Sequence, residues 1–299
     1  MITSKEITIQ ENIFKSVIQA GFSELSQIDS FVQSIIDSVK KGLIRKKEFI
    51  QFLNGLPTDY NDSIQSYALR KPYGYAGDFL VIDKIYTHHV AKDGMSKKWD
   101  LYFHKQAAPQ AVRNRKEYFK SILKEKLSEN KEFDLLNIAS GPARDLKEVY
   151  DGLDYEVQLK STCVDMDLNA IEYAKNLNSD HLNNIDFIHK NIFKFKTDKK
   201  FSLVWSAGLF DYFNDKAFVI CLKKLKSFCK QGGEIVVGNF NEDHNPSRDY
   251  MEIFGDWNLI HRNENQLREL AKLAGFEDGK ITIGKENKEV NLFLHLKVE

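Results

Sequence analysis

Four short segments of the 299-residue chain combine small residues with acids and amides in a way that can hold a charged ligand. The first runs Leu135-Leu136-Asn137-Ile138-Ala139 and continues Ser140-Gly141-Pro142-Ala143-Arg144-Asp145. Small residues let the main chain pass close to a ligand, and Gly141 removes a Cβ from that approach. A helix starting just afterwards offers N–H groups to an anion, with Asp145 in its first turn. The second segment is Cys163-Val164-Asp165-Met166-Asp167. An acid ending a second strand, roughly twenty residues after a small-residue turn, is placed to accept hydrogen bonds from ribose hydroxyls. Asp167 stands where a helix N-cap belongs, so Asp165 is the expected ribose ligand, with Met166 beside it. The third segment is His189-Lys190-Asn191-Ile192-Phe193. There Asn191 can read the edge of a base while Ile192 packs against its face. The fourth, Ser206-Ala207-Gly208 followed by Leu209-Phe210-Asp211-Tyr212, passes from small to aromatic, as suits a ligand lying across strand ends.

Other residues could act on a second ligand. Tyr212 and Asn239 follow strands four and five, so both can point at an acceptor, and His244 lies just beyond. Tyr73 and Tyr75 stand on a loop of unusual composition, Lys71-Pro72-Tyr73-Gly74-Tyr75-Ala76-Gly77-Asp78. Arg113 and Arg115 could grip a carboxylate with two donors. Tyr250, Met251, Ile253, Phe254 and Trp257 form an apolar cluster that could border an acyl chain or simply pack a core. No H-x-H or H-E-x-x-H spacing occurs, so no metal site is expected.

These segments need a frame. From Phe133 onward, apolar runs at Leu135–Ala139, Ser161–Val164, Ile185–Ile188, Phe201–Trp205, Glu234–Gly238 and Val290–Leu296 read as strands. Helical patterns near 143–150, 168–177, 215–229 and 264–274 lie between them. Alternation of this kind implies βαβ units and a mostly parallel sheet covered on both faces. Before residue 130, apolar positions recur at helical spacing over 9–56 and again from Ala108 to Lys126. The organisation expected is a helical covering domain at 1–130 and a ligand-binding α/β domain at 131–299.

Basic and acidic residues balance at 43 each, which argues against a dedicated nucleic-acid binder. No apolar run approaches the ~18 residues of a membrane span, and the N-terminal residues lack the pattern of a secretory signal. The odd trio Cys163, Cys221 and Cys229 suits reduced core thiols and a cytoplasmic protein. No sequence feature specifies an oligomeric state.

Taken together, the small-residue turn, the acid after strand two, Asn191 after strand three and the Lys230-Gln231-Gly232-Gly233 turn resemble a class I S-adenosylmethionine-dependent methyltransferase over residues 133–299. The turn Ala-Ser-Gly-Pro-Ala departs from the commoner three-glycine form. A dehydrogenase shares the turn and the acid, but the glycine pair and an antiparallel-looking last strand favour the methyltransferase. The resemblance implies a Rossmann-like sheet with an antiparallel last strand, an N-terminal helical domain and S-adenosyl-L-methionine as cofactor. It implies cofactor contacts from Ala139, Ser140, Gly141, Pro142, Asp145, Asp165, Met166, Asn191, Ile192, Ser206, Ala207, Gly208 and Arg113. Tyr75, Tyr212, Asn239 and His244 are then the candidates for chemistry, and Tyr73, Tyr250, Phe254 and Trp257 for the acceptor pocket.

A narrower resemblance rests on Lys71–Asp78, the Ser-Gly-Pro-Ala-Arg-Asp turn, Ser206–Tyr212 and Gly238-Asn239-Phe240. These segments are similar to a bacterial subgroup that includes synthases of 3-hydroxy fatty acid methyl esters. It implies O-methylation of a small carboxylate, which is already ionised at neutral pH and needs no general base. A hydroxyl or amine acceptor would need one, and a non-catalytic cofactor-binding module is the alternative from another class. Nucleic-acid methylation is disfavoured by the balanced charge, by Ser206-Ala207-Gly208-Leu209 standing in place of an Asn-Pro-Pro-Tyr segment, and by the lack of a cysteine directly after strand four to attack a pyrimidine.

Overall fold

The computed structural model describes residues 24–56, 58–154 and 156–299. The helical spacing expected before residue 24 lies outside these. The chain folds as two compact units. One comprises the described residues up to Gln110 together with Pro246–Asn258, and the other Ala111–Asn245 with Leu259–Glu299. The units therefore divide after Gln110, not near residue 130, and a later segment returns to the first.

The first unit is helical: α1 (Leu25–Lys40), α2 (Lys46–Asn54), α3 (Thr58–Asn61), α4 (Ile64–Arg70), α5 (Phe79–Tyr86), α6 (Gly94–Lys105) and α11 (Arg248–Phe254). Ile28, Phe31, Val32, Ile35 and Ile36 repeat at three- and four-residue spacing, and they are the buried face of α1. Trp99 is wholly buried, with Phe31, Tyr60 and Tyr102 meeting it edge-on. Phe254 from α11 joins this core, 5.0 Å from the ring of Phe49. Gln65 Nε2 donates to the Phe254 carbonyl at 2.9 Å, which fixes the returning segment.

The segment 71–78 is an ordered loop, as its composition predicts. Lys71 closes α4 in the left-handed region, and its ammonium meets Asp256 Oδ2 at 2.6 Å. Gly74 N–H turns back to the Lys71 carbonyl at 2.8 Å. Asp78 caps α5 by accepting the N–H groups of Leu80 and Val81.

The second unit is built on a seven-stranded sheet. Its strands are β1 (Glu132–Ile138), β2 (Gln158–Asp165), β3 (Ile185–His189), β4 (Phe201–Ser206), β5 (Cys229–Phe240), β6 (Ile281–Lys285) and β7 (Asn291–Lys297). Their order is β3-β2-β1-β4-β5-β7-β6, with β7 antiparallel to both neighbours. The helices are α7 (Ala107–Glu129, of which the unit holds the part from Ala111), α8 (Arg144–Asp151), α9 (Leu168–Leu177), α10 (Asp215–Phe228) and α12 (Glu264–Leu273). Strand side chains alternate between faces, and the sequence exploits this. Leu135, Leu203, Trp205, Val236 and Phe293 pack on one side with Phe119, Leu123 and Leu127 of α7 and Leu146 of α8. Their neighbours Leu136, Val204, Ile235, Val237, Leu292 and Leu294 pack on the other side with Phe218, Leu222 and Leu225 of α10 and Leu267 of α12.

The strand β6 and the helix α11 are not foreseen from sequence. β6 has five residues at the sheet edge with only Ile281 buried, so its apolar signal is weak. Gly232 and Gly233 do not form a free turn before β5 but a register shift within its start, where Gly232 N–H bonds the Val298 carbonyl at 2.7 Å.

Candidate functional site

In an open α/β sheet the ligand crevice lies beyond the carboxyl ends of the strands, where the strand order reverses. Here β1 has β2 on one side and β4 on the other, so the reversal falls between β1 and β4. The loops that follow them are Ala139–Ala143 and Ala207–Tyr212, two of the segments singled out from sequence.

The first loop is strained in an informative way. Ala139, Gly141 and Ala143 all have positive φ, at 52°, 54° and 51°. Glycine takes this conformation freely, whereas each alanine costs about 1 kcal/mol, so the surroundings must impose it. Ala139 N–H bonds the Val164 carbonyl of β2, and Gly141 N–H donates to Asp165 Oδ2 at 2.9 Å. The other carboxylate oxygen of Asp165 accepts the Asp167 N–H at 2.9 Å. Asp165 thus frames the loop, and burial raises its pKa. Each oxygen keeps a second lone pair that can accept from a ligand. Asp167 caps α9 through the Asn169 N–H, as expected. Met166 stands out at 65% exposed, which opens an apolar side chain at the strand end.

After β3, Asn191 Oδ1 accepts the Phe193 N–H at 2.9 Å, making a tight turn, while Ile192 is buried in the core on the α10 side. After β4, Ser206 is fully buried, and its Oγ has no partner among the described residues. Gly238 of β5 lies against this loop, where an added Cβ would sit 2.7 Å from the Ala207 carbonyl oxygen. Pro142, within the first loop, is buried.

Arg115, Asp145 and Asp211 join these residues. Arg115 on α7 is 5% exposed and donates to the Ala207 carbonyl at 3.0 Å. Its charge faces both carboxylates. Burial pushes Asp145 up to about 6 and Asp211 up to about 7, and Arg115 partly offsets each shift. Asp211 Oδ1 accepts the Phe240 N–H at 2.6 Å, which ties the ends of β4 and β5 together. Arg113, two positions earlier, is half-buried, and desolvation lowers its pKa. Residues two apart on a helix face different ways, so one of the pair enters the strand-end loops.

Asn239 stands at the end of β5 as expected, but its amide is engaged inside the protein. Nδ2 donates to the carbonyls of Phe240 and Ile260, and Oδ1 accepts from Arg262 at 3.0 Å. The buried Arg262 also reaches the Phe210 and Phe213 carbonyls and Asp215. It braces the short turn Phe210–Tyr212, which leaves Tyr212 at 42% exposed. His244 is exposed in the loop after β5. Tyr73, Tyr75, Tyr250, Phe254 and Trp257 belong to the helical unit. Tyr73 and Tyr75 are each 38% exposed, with Tyr73 packed on Phe79. Tyr250, Phe254 and Trp257 are buried, so packing the helical core is the role their surroundings give them.

Arg262 and Asp211 carry roles that sequence reading missed. Asp211 was legible only as part of the Ser206–Tyr212 segment. Arg262 is a lone arginine in a connecting stretch, and its side-chain partners come from two distant places in the chain, Phe210–Asp215 and Asn239.

No curated protein matches the sequence. Among solved structures, a protein from Bordetella parapertussis described as a possible exported protein is 16% identical, covers 90% of this chain and 97% of its own, and superposes with a TM-score of 0.67. The magnesium protoporphyrin IX methyltransferase ChlM from Synechocystis PCC 6803, solved with S-adenosylhomocysteine, is 10% identical and covers 73% of this chain and 92% of its own, with a TM-score of 0.53. The S-adenosylmethionine-dependent methyltransferase SibL is 14% identical and covers 88% of this chain and 77% of its own, with a TM-score of 0.51. At these identities the likeness is one of fold. The profile of the methyltransferase domain matches residues 129–288, more than half of the chain, including the loops that follow β1, β2, β3 and β4. The chain belongs to the methyltransferase domain family.

Proposed function

We propose that this protein transfers a methyl group from S-adenosylmethionine to a small-molecule carboxylate such as a 3-hydroxy fatty acid, without a metal. The observation that carries the reading is the pairing of the strained Ala139–Ala143 loop with Asp165 at the strand reversal. The residues present fit the cofactor. Gly141 lets the main chain approach, Asp165 retains acceptor capacity for ribose hydroxyls, and the orphaned Ser206 Oγ offers a buried polar contact. Arg115 would hold the cofactor's carboxylate, and Asn191 with Ile192 and Met166 would bracket the base. When bound, the cofactor supplies a methyl group on a sulfonium centre that is open to in-line displacement.

The protein's contribution is then orientation and exclusion of water. A carboxylate acceptor arrives ionised, so no residue has to remove a proton from it. Tyr212, on a turn braced by Arg262, can orient an acceptor oxygen. In this proposal Tyr73, Tyr75 and Arg113 cover the bound ligands, and His244 stands at the rim. A cytoplasmic setting belongs to the same proposal and is supported by three buried free thiols. Among the described residues no helix is long and apolar enough to cross a membrane.

The test is transfer of labelled methyl groups onto fatty acids, with and without a 3-hydroxyl, and onto the matching alcohols. The expected product is an ester whose label is released by mild alkali. Label that resists alkali, or that appears only on the alcohols, would replace the carboxylate reading with a hydroxyl or amine one.

A further inference from the structure

Two buried carboxylates lie within the field of one buried guanidinium, Arg115, at the strand reversal. Asp145 comes from the first turn of α8 and Asp211 from the turn after β4. They are 6% and 2% exposed, and Arg115 is 5% exposed. Main-chain donors hold both acids: Leu146 N–H for Asp145 at 2.9 Å, and Phe240 N–H for Asp211 at 2.6 Å. The charged groups facing Asp211 are Arg115 from α7 and Arg262 from the stretch before α12. Arg262 is already committed to Asp215 at 2.8 Å. Asp145 faces Arg115 and, with a small opposing effect, Glu148, which Lys116 and Lys120 neutralise at 2.6 and 2.7 Å. An anionic ligand drawn to Arg115 therefore becomes a third negative group around one cation. Like charges gathered in a buried place favour protonation of the acid that is least compensated.

We propose that Asp211 is a positioning residue of the cofactor site that yields Arg115 by taking up a proton. Binding of the cofactor's carboxylate at Arg115 is coupled to protonation of Asp211. The balance is simple: a solvent proton neutralises the Asp211 carboxylate, and the Arg115 charge that had offset it then compensates the ligand's carboxylate. No bond other than O–H forms, and nothing is oxidised or reduced. Burial pushes the carboxyl of Asp211 up to about 7, and Asp211 stands on the loop whose Ala207 carbonyl Arg115 holds at 3.0 Å, so it is the acid that gains a proton when Arg115 turns away. Asp211 can keep the Phe240 N–H bond in either state, because a protonated carboxyl retains an acceptor oxygen. The ends of β4 and β5 thus stay joined while the charge changes. The inference rests on the reading of Arg115 as the ligand of the cofactor's carboxylate.

The experiment is calorimetric titration of S-adenosylhomocysteine into the full-length protein, in pairs of buffers with different ionisation enthalpies. Linkage predicts uptake of about half a proton near pH ~7.5, and affinity falling about threefold per pH unit as pH rises through that range. Asp211→Asn keeps an oxygen for the Phe240 N–H but cannot titrate. It should abolish the uptake and flatten the profile, whereas Asp145→Asn should leave the dependence in that range in place. Failure of the wild-type protein to bind overturns the cofactor reading itself. Binding with no proton uptake, or uptake that survives in Asp211→Asn, overturns the inference and leaves the cofactor reading standing. The wild-type proton count needs no variant, so an absent uptake overturns the inference even if Asp211→Asn does not fold.

Discussion

At the scale of single residues, Asp165 joins two roles. Its carboxylate frames the Ala139–Ala143 loop through two main-chain N–H groups, and the proposal gives it ribose hydroxyls as well. Asp165→Ala should therefore lower stability by roughly 1–3 kcal/mol, because two part-buried donors lose their acceptor. It should also weaken S-adenosylhomocysteine binding more than about tenfold, or ~1.4 kcal/mol. Calorimetry alongside a thermal melt reads both, and unchanged affinity would remove Asp165 from the cofactor site. Tyr75 presents a different case. It is partly exposed on an ordered loop, so Tyr75→Ala should leave the melting temperature nearly unchanged. If it covers the bound ligands, the transfer rate should fall by at least about tenfold, ~1.4 kcal/mol of transition-state stabilisation. A normal rate would take the loop out of the mechanism.

At the scale of elements, α7 is fastened to the sheet by charge as well as by apolar packing. Glu234 of β5 bonds His295 Nδ1 of β7 at 2.7 Å and Lys126 of α7 at 2.6 Å. The other ring nitrogen of the same imidazole, Nε2, meets Tyr118 Oη at 2.8 Å. Although burial opposes it, these partners hold the Glu234 carboxyl down at about 2, against an ordinary 4.5. A depressed carboxylate stabilises the fold above its unfolded pKa and loses that contribution as pH falls through the folded value. Glu234→Gln should thus cost on the order of 2–3 kcal/mol at neutral pH, with the deficit shrinking as pH drops from about 4.5 toward 2. Denaturant titrations at several pH values check the slope. Asp145 and Asp211 act with the opposite sign. Their raised carboxyls weaken the fold as pH climbs from the unfolded value of 3.8 through about 6 and about 7, so Asp211→Asn should gain stability relative to wild type at alkaline pH.

At the scale of the whole molecule, the α/β unit begins inside a helix. Phe119, Leu123 and Leu127 of α7 are buried against Leu135, Trp205 and Phe293 of the sheet. Each such side chain contributes roughly 1.5–3 kcal/mol by burial, and removing three approaches the ~5–15 kcal/mol that holds a domain together. A fragment starting at residue 130 should therefore fail to fold, whereas one starting at 107 keeps the packing and Arg115. Circular dichroism and cooperative melting of the two fragments check this. A folded fragment without α7 would show that the helix is dispensable.

Strand periodicity already carried much of this protein. Alternation of apolar residues places Leu135 and Leu136, or Val236 and Val237, on opposite faces, and helical spacing marks α1, α10 and α12, because both are local consequences of backbone geometry. The small-residue turn and the acid after β2 were legible for the same reason, since each occupies a fixed place next to its own strand. The polar partnerships were not. Arg115 and Arg113 look alike in sequence, and only the docking of α7 on the sheet carries one of them to the Ala207 carbonyl. Asp211, Asn239 and Arg262 lie far enough apart that nothing local pairs them, yet the meeting of β4 and β5 makes them one hydrogen-bonded brace. Tyr250 and Phe254 read equally well as pocket or core, and the return of α11 to the helical unit gives them the core. Local pattern fixes which face of an element is buried. What that face meets, and which charges are thereby forced together, depends on contacts distant in sequence.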